Sequence, residues 1–511
     1  MSHDPVVAEA IRHAPHLEPR FVLADQERRA AEKLSAYHAN GKRPNVLVIL
    51  FDDVGWGDFG CYGGGVAVGA ATPNIDRLAR RGMRLTSCYS EPSCTPSRAS
   101  MMTGRLPMRH GLLRPPMYGQ KGGLDGEITF AQLLADAGYI TQAVGKWHMG
   151  ENRESQPQNV GFDDFYGFLS VSDMYTEWRD PYFFPEIVYS EERTKWVENL
   201  EFNKCFVHAT KGGEAENVEE VTIPVLSLLD EKWAQYSLDF IRSQGAARAD
   251  GSGQPWFLYH CTRGAHFDNY PHERFLGSSP AKHPYKDTII ELDDIVGRLV
   301  AELEASGQLE DTLIFVSSDN GPEMETWPDA AYSPFRCAKG STWEGGQRVP
   351  GIVAWPGMIE PDRATDGVFS QMDLFNTCLR LAGIEDAIPS DRYIDGVDQT
   401  SYLLGPDGYS NRKYLYYWLT NVFSALRVGE WKFMVASTSD DDRDCFNLGG
   451  FTGVTQKYSH GRLYNLYLDP KEQHSYMVRK LAYIDSFTGG IRDHFITFGK
   501  YPPKQPIAAM S

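Results

Sequence analysis

Asn45-Val46-Leu47-Val48-Ile49-Leu50-Phe51, followed at once by Asp52-Asp53, is the stretch whose reading decides the fold. From Val46 the run is continuously β-branched, aliphatic or aromatic and has the length of one strand. A strand with no polar face is covered on both sides, the condition of a parallel strand with helices above and below it. The run ends abruptly in Asp52-Asp53-Val54-Gly55-Trp56-Gly57-Asp58, so its carboxyl end delivers acids.

Three other stretches repeat that design. Tyr139 to Val144 leads into Gly145-Lys146-Trp147-His148, Pro255 to Cys261 into Thr262-Arg263-Gly264-Ala265-His266, and Asp311 to Ser317 into Ser318-Asp319-Asn320-Gly321. Helical signals alternate with these strands. Thr72-Pro73-Asn74 opens a helix that Gly82 closes, and Thr129 caps Phe130 to Ala137 ahead of Gly138. Ile289, Leu292, Val296, Leu299 and Leu303 recur at steps of three and four up to Gly307. The alternation predicts an α/β fold with a large, mainly parallel central sheet flanked by helices, and ligands collect beyond the carboxyl ends of such strands. Val349 to Trp355 reads as a further strand and Gln371 to Leu381 as a further helix.

Residues 1–43 are polar and helix-compatible, an arm or a packed extension. The main domain spans 44–405, a Pro, Gly and Asn-rich linker runs from Leu404 to Asn411, and a smaller α+β domain occupies 412–511. In the last, short aromatic runs around Tyr416, Leu426, Phe433 and Tyr464, separated by turn signals, predict an antiparallel sheet. The acidic run Asp440 to Asp444 reads as a solvated loop.

Composition narrows the function. The chain has 511 residues, 42% of them hydrophobic, and 50 Lys plus Arg against 68 Asp plus Glu leave a formal charge of −18, which argues against a nucleic-acid partner. The amino terminus lacks the apolar core of a secretory signal, and no stretch approaches the roughly 20 apolar residues of a membrane span, so a cytoplasmic protein with no membrane partner is expected. Eight cysteines without CxxC or CxxxH spacing disfavour a zinc site or a dense disulfide framework.

Two constellations carry chemistry. Asp52, Asp53, Asp319 and Asn320 are hard oxygen donors at the ends of two core strands. Three carboxylates brought together repel unless a cation neutralises them, and an oxygen-only set suits Ca²⁺ or Mg²⁺ rather than zinc. The second is Cys94-Thr95-Pro96-Ser97-Arg98-Ala99-Ser100-Met101-Met102-Thr103-Gly104-Arg105, a cysteine at a helix entrance with an arginine one turn along.

This string resembles the signature of the type I sulfatases. Gly145-Lys146-Trp147-His148 and Ala338-Lys339-Gly340-Ser341-Thr342-Trp343-Glu344-Gly345-Gly346 resemble two further motifs of that family, and the resemblance runs from Asn45 to Leu466. It implies an alkaline-phosphatase-like sandwich with a smaller carboxyl-terminal domain. It further implies that a maturation enzyme converts Cys94 to Cα-formylglycine, and that Asp52, Asp53, Asp319, Asn320 and residue 94 bind one divalent metal, usually calcium. In the mechanism the resemblance implies, Arg98 would hold the hydroxyls of the hydrated aldehyde, one of which would attack the sulfur of a small-molecule sulfate ester with help from Asp319. By the same resemblance, Lys339 and His266 would attend the leaving oxygen, a covalent sulfo-enzyme would remain, and His148 would then take the proton of the second hydroxyl as sulfate is expelled. Lys146 completes the cations.

His266 follows Ala265 where the family has proline, and His260 and His272 compete for its place. Trp147 and Trp343 read as packing. Two alternatives stand beside the sulfatase reading: a formylglycine-dependent phosphonate monoester or phosphodiester hydrolase, and an unmodified module that binds sulfated ligands. The aromatic passage from Phe162 to Pro185, with Tyr175 and Trp178, is a candidate wall for an apolar leaving group.

Overall fold

In the computed structural model, Asn45–Phe51 lies in the middle of a ten-stranded sheet with every residue buried. Its side chains alternate between two cores: Val46, Val48 and Leu50 join one apolar cluster, Leu47, Ile49 and Phe51 the other. The continuous apolar run is thus explained by helices on both faces. The structure describes residues 5–39, 41–116, 120–176, 191, 204–326, 328–330, 332–405, 408–438 and 455–504.

From edge to edge the strands are Arg363–Thr365, Met83–Leu85, Gly351–Ala354, Thr312–Ser318, Asn45–Phe51, Trp256–Cys261, Ile140–Lys146, Asp164–Phe168, Cys205–Thr210 and Glu216–Glu220. The five from Thr312–Ser318 to Asp164–Phe168 pair in parallel, with antiparallel neighbours on either side. The four strands expected to deliver polar residues are therefore immediate neighbours and point the same way. That adjacency brings their carboxyl ends to one place.

Pro284–Ala305 buries Ile289, Leu292, Val296, Leu299 and Leu303, as its spacing predicts. Beside it lies Leu229–Asp250, a helix the sequence reading passes over because aromatic and polar residues interrupt its apolar stripe. The strand expected from Val349 to Trp355 is divided. Pro350, which has no N–H to give a ladder, separates Arg348–Val349, in a three-stranded sheet with Cys88–Tyr89 and Phe369–Ser370, from Gly351–Ala354 in the main sheet.

Leu415–Leu419, Val422–Val428, Trp431–Thr438 and Thr455–Asn465 form the antiparallel carboxyl-terminal sheet, with the helix Ile484–Lys500 against it. The acidic run Asp440 to Asp444 lies outside the described residues. The stretch read as a linker is fastened at its end. The Asn411 backbone N–H donates to Gln399 Oε1 at 3.0 Å, its Nδ2 donates to the Asp398 carbonyl at 2.7 Å, and Arg412 is paired with Asp373. Cys337 is disulfide-bonded, whereas Cys61, Cys88, Cys94, Cys261 and Cys378 are free thiols.

The amino-terminal stretch is a packed extension. Its helix Ala24–His38 sends Ala30 and Leu34 into the main core, and Glu18 is buried where the Tyr393 and Tyr416 hydroxyls donate to it at 2.7 and 3.2 Å. Burial, with Asp395 nearby, pushes Glu18 up to about 7. A carboxyl raised on folding favours the folded state at low pH, and that contribution is lost as the pH rises from its unfolded value of 4.5 through about 7. Glu18→Gln keeps the acceptor without the charge. It is expected to raise the melting temperature at pH 8 but not at pH 4.5; an unchanged or lower value at pH 8 contradicts this.

Candidate active site

The site is built where those four strands end. Asp53 leaves its strand in the left-handed region, φ 60°, and its N–H donates to Asp319 Oδ1 at 3.2 Å, while the Val54 N–H donates to Ser318 Oγ at 2.8 Å. These bonds tie the Asp52-Asp53 pair to the Asp319-Asn320 pair. His148 also turns out of its strand with positive φ, 56°. A non-glycine residue held there costs of order 1–3 kcal/mol, which the surrounding bonds must offset.

Cys94 is the first residue of the helix Cys94–Thr103, all of which is buried. Its Sγ lies 3.2 Å from His148 Nδ1, and the Thr95 hydroxyl donates to the His148 carbonyl at 2.6 Å. One turn on, Arg98 Nε and Nη2 reach Asp319 Oδ2 at 2.9 and 2.8 Å, and Nη1 donates to the Lys146 carbonyl at 2.9 Å. Lys146 Nζ meets Asp52 Oδ2 at 2.6 Å; Lys339 Nζ meets Asp53 Oδ2 at 2.9 Å. Asp319, Asp52 and Asp53 thus each meet a cation in one buried cluster.

Of the three competing histidines, His266 is the one beside the acids. Its Nε2 stands 3.6 Å from Asp53 Oδ2 and its Nδ1 lies 2.8 Å from the Phe267 carbonyl. His260 instead points its Nδ1 at the Ser237 hydroxyl, 2.8 Å away on Leu229–Asp250, and burial holds it down near 3. His272 lies beyond the loop, its N–H donated to Glu291. Trp147 and Trp343 are buried as packing. Phe162, Phe165, Phe168 and Tyr175 belong to the cores, and Tyr175 packs on Phe168; Trp178 lies outside the described residues.

Burial also acts on the charges. It pushes the Cys94 thiol up, against Lys146 and Lys339, and pushes His148 well down, together with Lys146 and Arg98, so both are neutral at pH 7. Burial would raise Asp53 too, yet Lys339 and His266 outweigh it and hold this carboxyl below its ordinary value. For Asp319 burial wins, aided by Asp52, and the group is raised.

Glu323, which the sequence reading missed, is buried with its Oε2 2.7 Å from Lys339 Nζ. The signal was its place four residues past Asp319 on the same loop.

The donor set fits a hard cation. Asp52, Asp53 and His266 place ligand atoms within 4.8 Å of one another, and the buried oxygens Asp52 Oδ1 and Asn320 Oδ1 have no hydrogen-bond partner. Buried oxygens left this way are costly unless something positive meets them. His148 Nε2 is likewise buried without a partner, beside Cys94.

Comparison with known proteins agrees with this geometry. Residues 44–384 match the family model described as sulfatase. The chain belongs to the sulfatase family. Residues 424–496 match the carboxyl-terminal domain of the putative sulfatase AslA. The dog N-acetylgalactosamine-6-sulfatase is 34% identical over 86% of this chain and 83% of its own, and human arylsulfatase A is 33% identical over 86% and 85%. The PsFucS1 sulfatase from Pseudoalteromonas sp. superposes with a TM-score of 0.92 at 40% identity, covering 98% of this chain and 99% of that one. The sulfatase is a sulfuric ester hydrolase with the alkaline-phosphatase-like architecture. Among its described residues no helix is long and apolar enough to cross a membrane.

Proposed function

We propose that this sulfatase cleaves sulfate monoesters to an alcohol or phenol and inorganic sulfate, with Cys94, matured to Cα-formylglycine by a partner enzyme, as the residue that meets sulfur. The observation that carries this reading is one buried cluster in which Arg98, Lys146, His266 and Lys339 meet Asp52, Asp53 and Asp319, with His148 at the Cys94 sulfur. A sulfate ester is anionic and gains charge on its leaving oxygen as the S–O bond breaks, so preorganised cations lower the barrier. When formed, the hydrated aldehyde supplies one hydroxyl to attack sulfur and a second through which sulfate is released.

The chain's own residues orient and move protons around that group. Arg98, locked onto Asp319, fixes the position of residue 94, and Asp319 assists removal of the attacking proton. His148 Nδ1, 3.2 Å from the Cys94 sulfur and neutral because it is buried, is free to take the second proton. Lys339 and His266 face the oxygen that departs and return a proton to it; Lys146 holds a sulfuryl oxygen. Asp52, Asp53, Asp319 and Asn320 would hold one divalent cation, Ca²⁺ in preference to Mg²⁺, which when bound draws charge from the sulfuryl oxygens.

The relatives' names bracket the alcohol: one names a sugar sulfate, another an aryl sulfate. Matured enzyme assayed on an aryl sulfate, a sugar 6-sulfate and phenyl phosphonate is expected to turn over a sulfate fastest. Faster phosphonate turnover identifies a phosphonate hydrolase instead, and binding of sulfate esters without turnover identifies a binding module.

A further inference from the structure

Lys339 stands on a loop, and what fixes that loop is the smaller sheet. From Lys339 the chain continues through Gly340, Ser341, Thr342 and Trp343 to Glu344, all buried. Lys432, on Trp431–Thr438, sends its Nζ to the Thr342 carbonyl at 2.7 Å, to Glu344 Oε1 at 3.1 Å and to Glu472 Oε1 at 2.8 Å. Glu472 Oε2 accepts from the Glu344 backbone N–H at 2.8 Å. Ser424, on Val422–Val428, shares a hydrogen bond with the Thr342 hydroxyl at 2.5 Å. The Tyr89 and Tyr417 hydroxyls donate to Glu344 at 2.5 and 3.0 Å.

Lys432, Glu344 and Glu472 are all fully buried. Apolar residues join two packed faces at lower desolvation cost, so a buried ion cluster is weak evidence for stability alone. What this cluster adds is direction, because its bonds converge on the backbone of one loop. At the other end of that loop Lys339 Nζ reaches Asp53 and Glu323.

We propose that Lys432 and Ser424 are positioning residues for Lys339, through which the carboxyl-terminal sheet sets where the Lys339 ammonium meets the departing oxygen. The inference rests on the reading of Lys339 given above. A displacement of about 1 Å can cost about a hundredfold in rate, and it costs most where the leaving oxygen needs help. A 4-nitrophenolate carries its charge unaided; an unsubstituted phenolate does so poorly.

The test measures kcat and KM on 4-nitrophenyl sulfate and phenyl sulfate for the matured wild type, Lys432→Met, Ser424→Ala and Lys339→Ala. Lys432→Met is expected to lose about tenfold more kcat on phenyl sulfate than on 4-nitrophenyl sulfate, with KM little changed. Ser424→Ala is expected to change in the same sense by less, and because it leaves every charge paired it carries the comparison where Lys432→Met does not fold. Equal losses on both substrates in the sheet variants, or none, overturn the inference. A steep Lys339→Ala with flat sheet variants leaves the reading of Lys339 standing, whereas a flat Lys339→Ala overturns both.

Discussion

Cys94→Ala is expected to lower turnover of any sulfate ester by about 10⁴-fold or more, the scale on which removal of a covalent nucleophile acts. On the proposed mechanism the thiol itself cannot substitute. Reactive cysteines are thiolates in electropositive, partly exposed surroundings. Cys94 has the cations, but it is buried and its thiol is pushed up, with Asp319 and Asp52 nearby acting in the same direction. Protein made without the maturation enzyme should therefore be as inactive as Cys94→Ala while remaining folded. The check pairs mass spectrometry of the peptide holding residue 94 with rates on 4-nitrophenyl sulfate, and melting temperatures confirm folding. Full activity with an intact thiol at position 94 would sink the reading. Loss of Arg98 would be a weaker test, since it also strands the buried Asp319 carboxylate.

Much of this site is legible in the sequence because strand ends obey simple rules. Asn45–Phe51 declares itself by having no polar face, and the acids that follow can only emerge at its carboxyl end. Lys146, His148 and Asp319 follow from the same rule, and so does His266 once strand adjacency is known. What the sequence does not reveal is interaction across distant segments. Pro350 marks a break between two sheets only when the neighbours of Arg348–Val349 are seen. Glu323 is one acid among many until Lys339 is found beside it. Lys432 is a single charged residue in the otherwise apolar strand run Trp431 to Ala436, where a lysine ordinarily turns to water. Here it points into a buried cluster that Glu344 and Glu472 complete from 88 and 40 positions away in the chain. The packed state of the amino-terminal extension is hidden for the same reason, since Glu18 finds its partners at Tyr393 and Tyr416.

Asp53→Asn is expected to remove divalent-cation binding and, with it, most of the activity. The wild-type cluster holds four carboxylates, those of Asp52, Asp53, Asp319 and Glu323, against Arg98, Lys146 and Lys339, and a divalent ion enters only if those acids outweigh the nearby cations. Replacing Asp53 by an isosteric amide leaves Asp52, Asp319 and Glu323 facing the same three cations, so the net negative charge that attracts the ion is lost together with one of its carboxylate ligands. The side chain keeps its shape, and the fold should survive. Two readouts follow. Ca²⁺ at about 100 times its dissociation constant should stabilise the wild type by about 2.7 kcal/mol, visible as a higher melting temperature, and should leave Asp53→Asn unmoved. Loss of several kcal/mol of transition-state charge stabilisation should lower kcat by about 10²- to 10³-fold. Chelation of the wild type is expected to reproduce both effects, and added Ca²⁺ to reverse them. Asn320→Ala offers the complementary case: it removes a buried amide oxygen without changing charge, and should weaken Ca²⁺ binding while leaving the Lys339–Asp53 pair intact. A Ca²⁺-dependent melting shift in Asp53→Asn equal to that of the wild type would place the ion elsewhere.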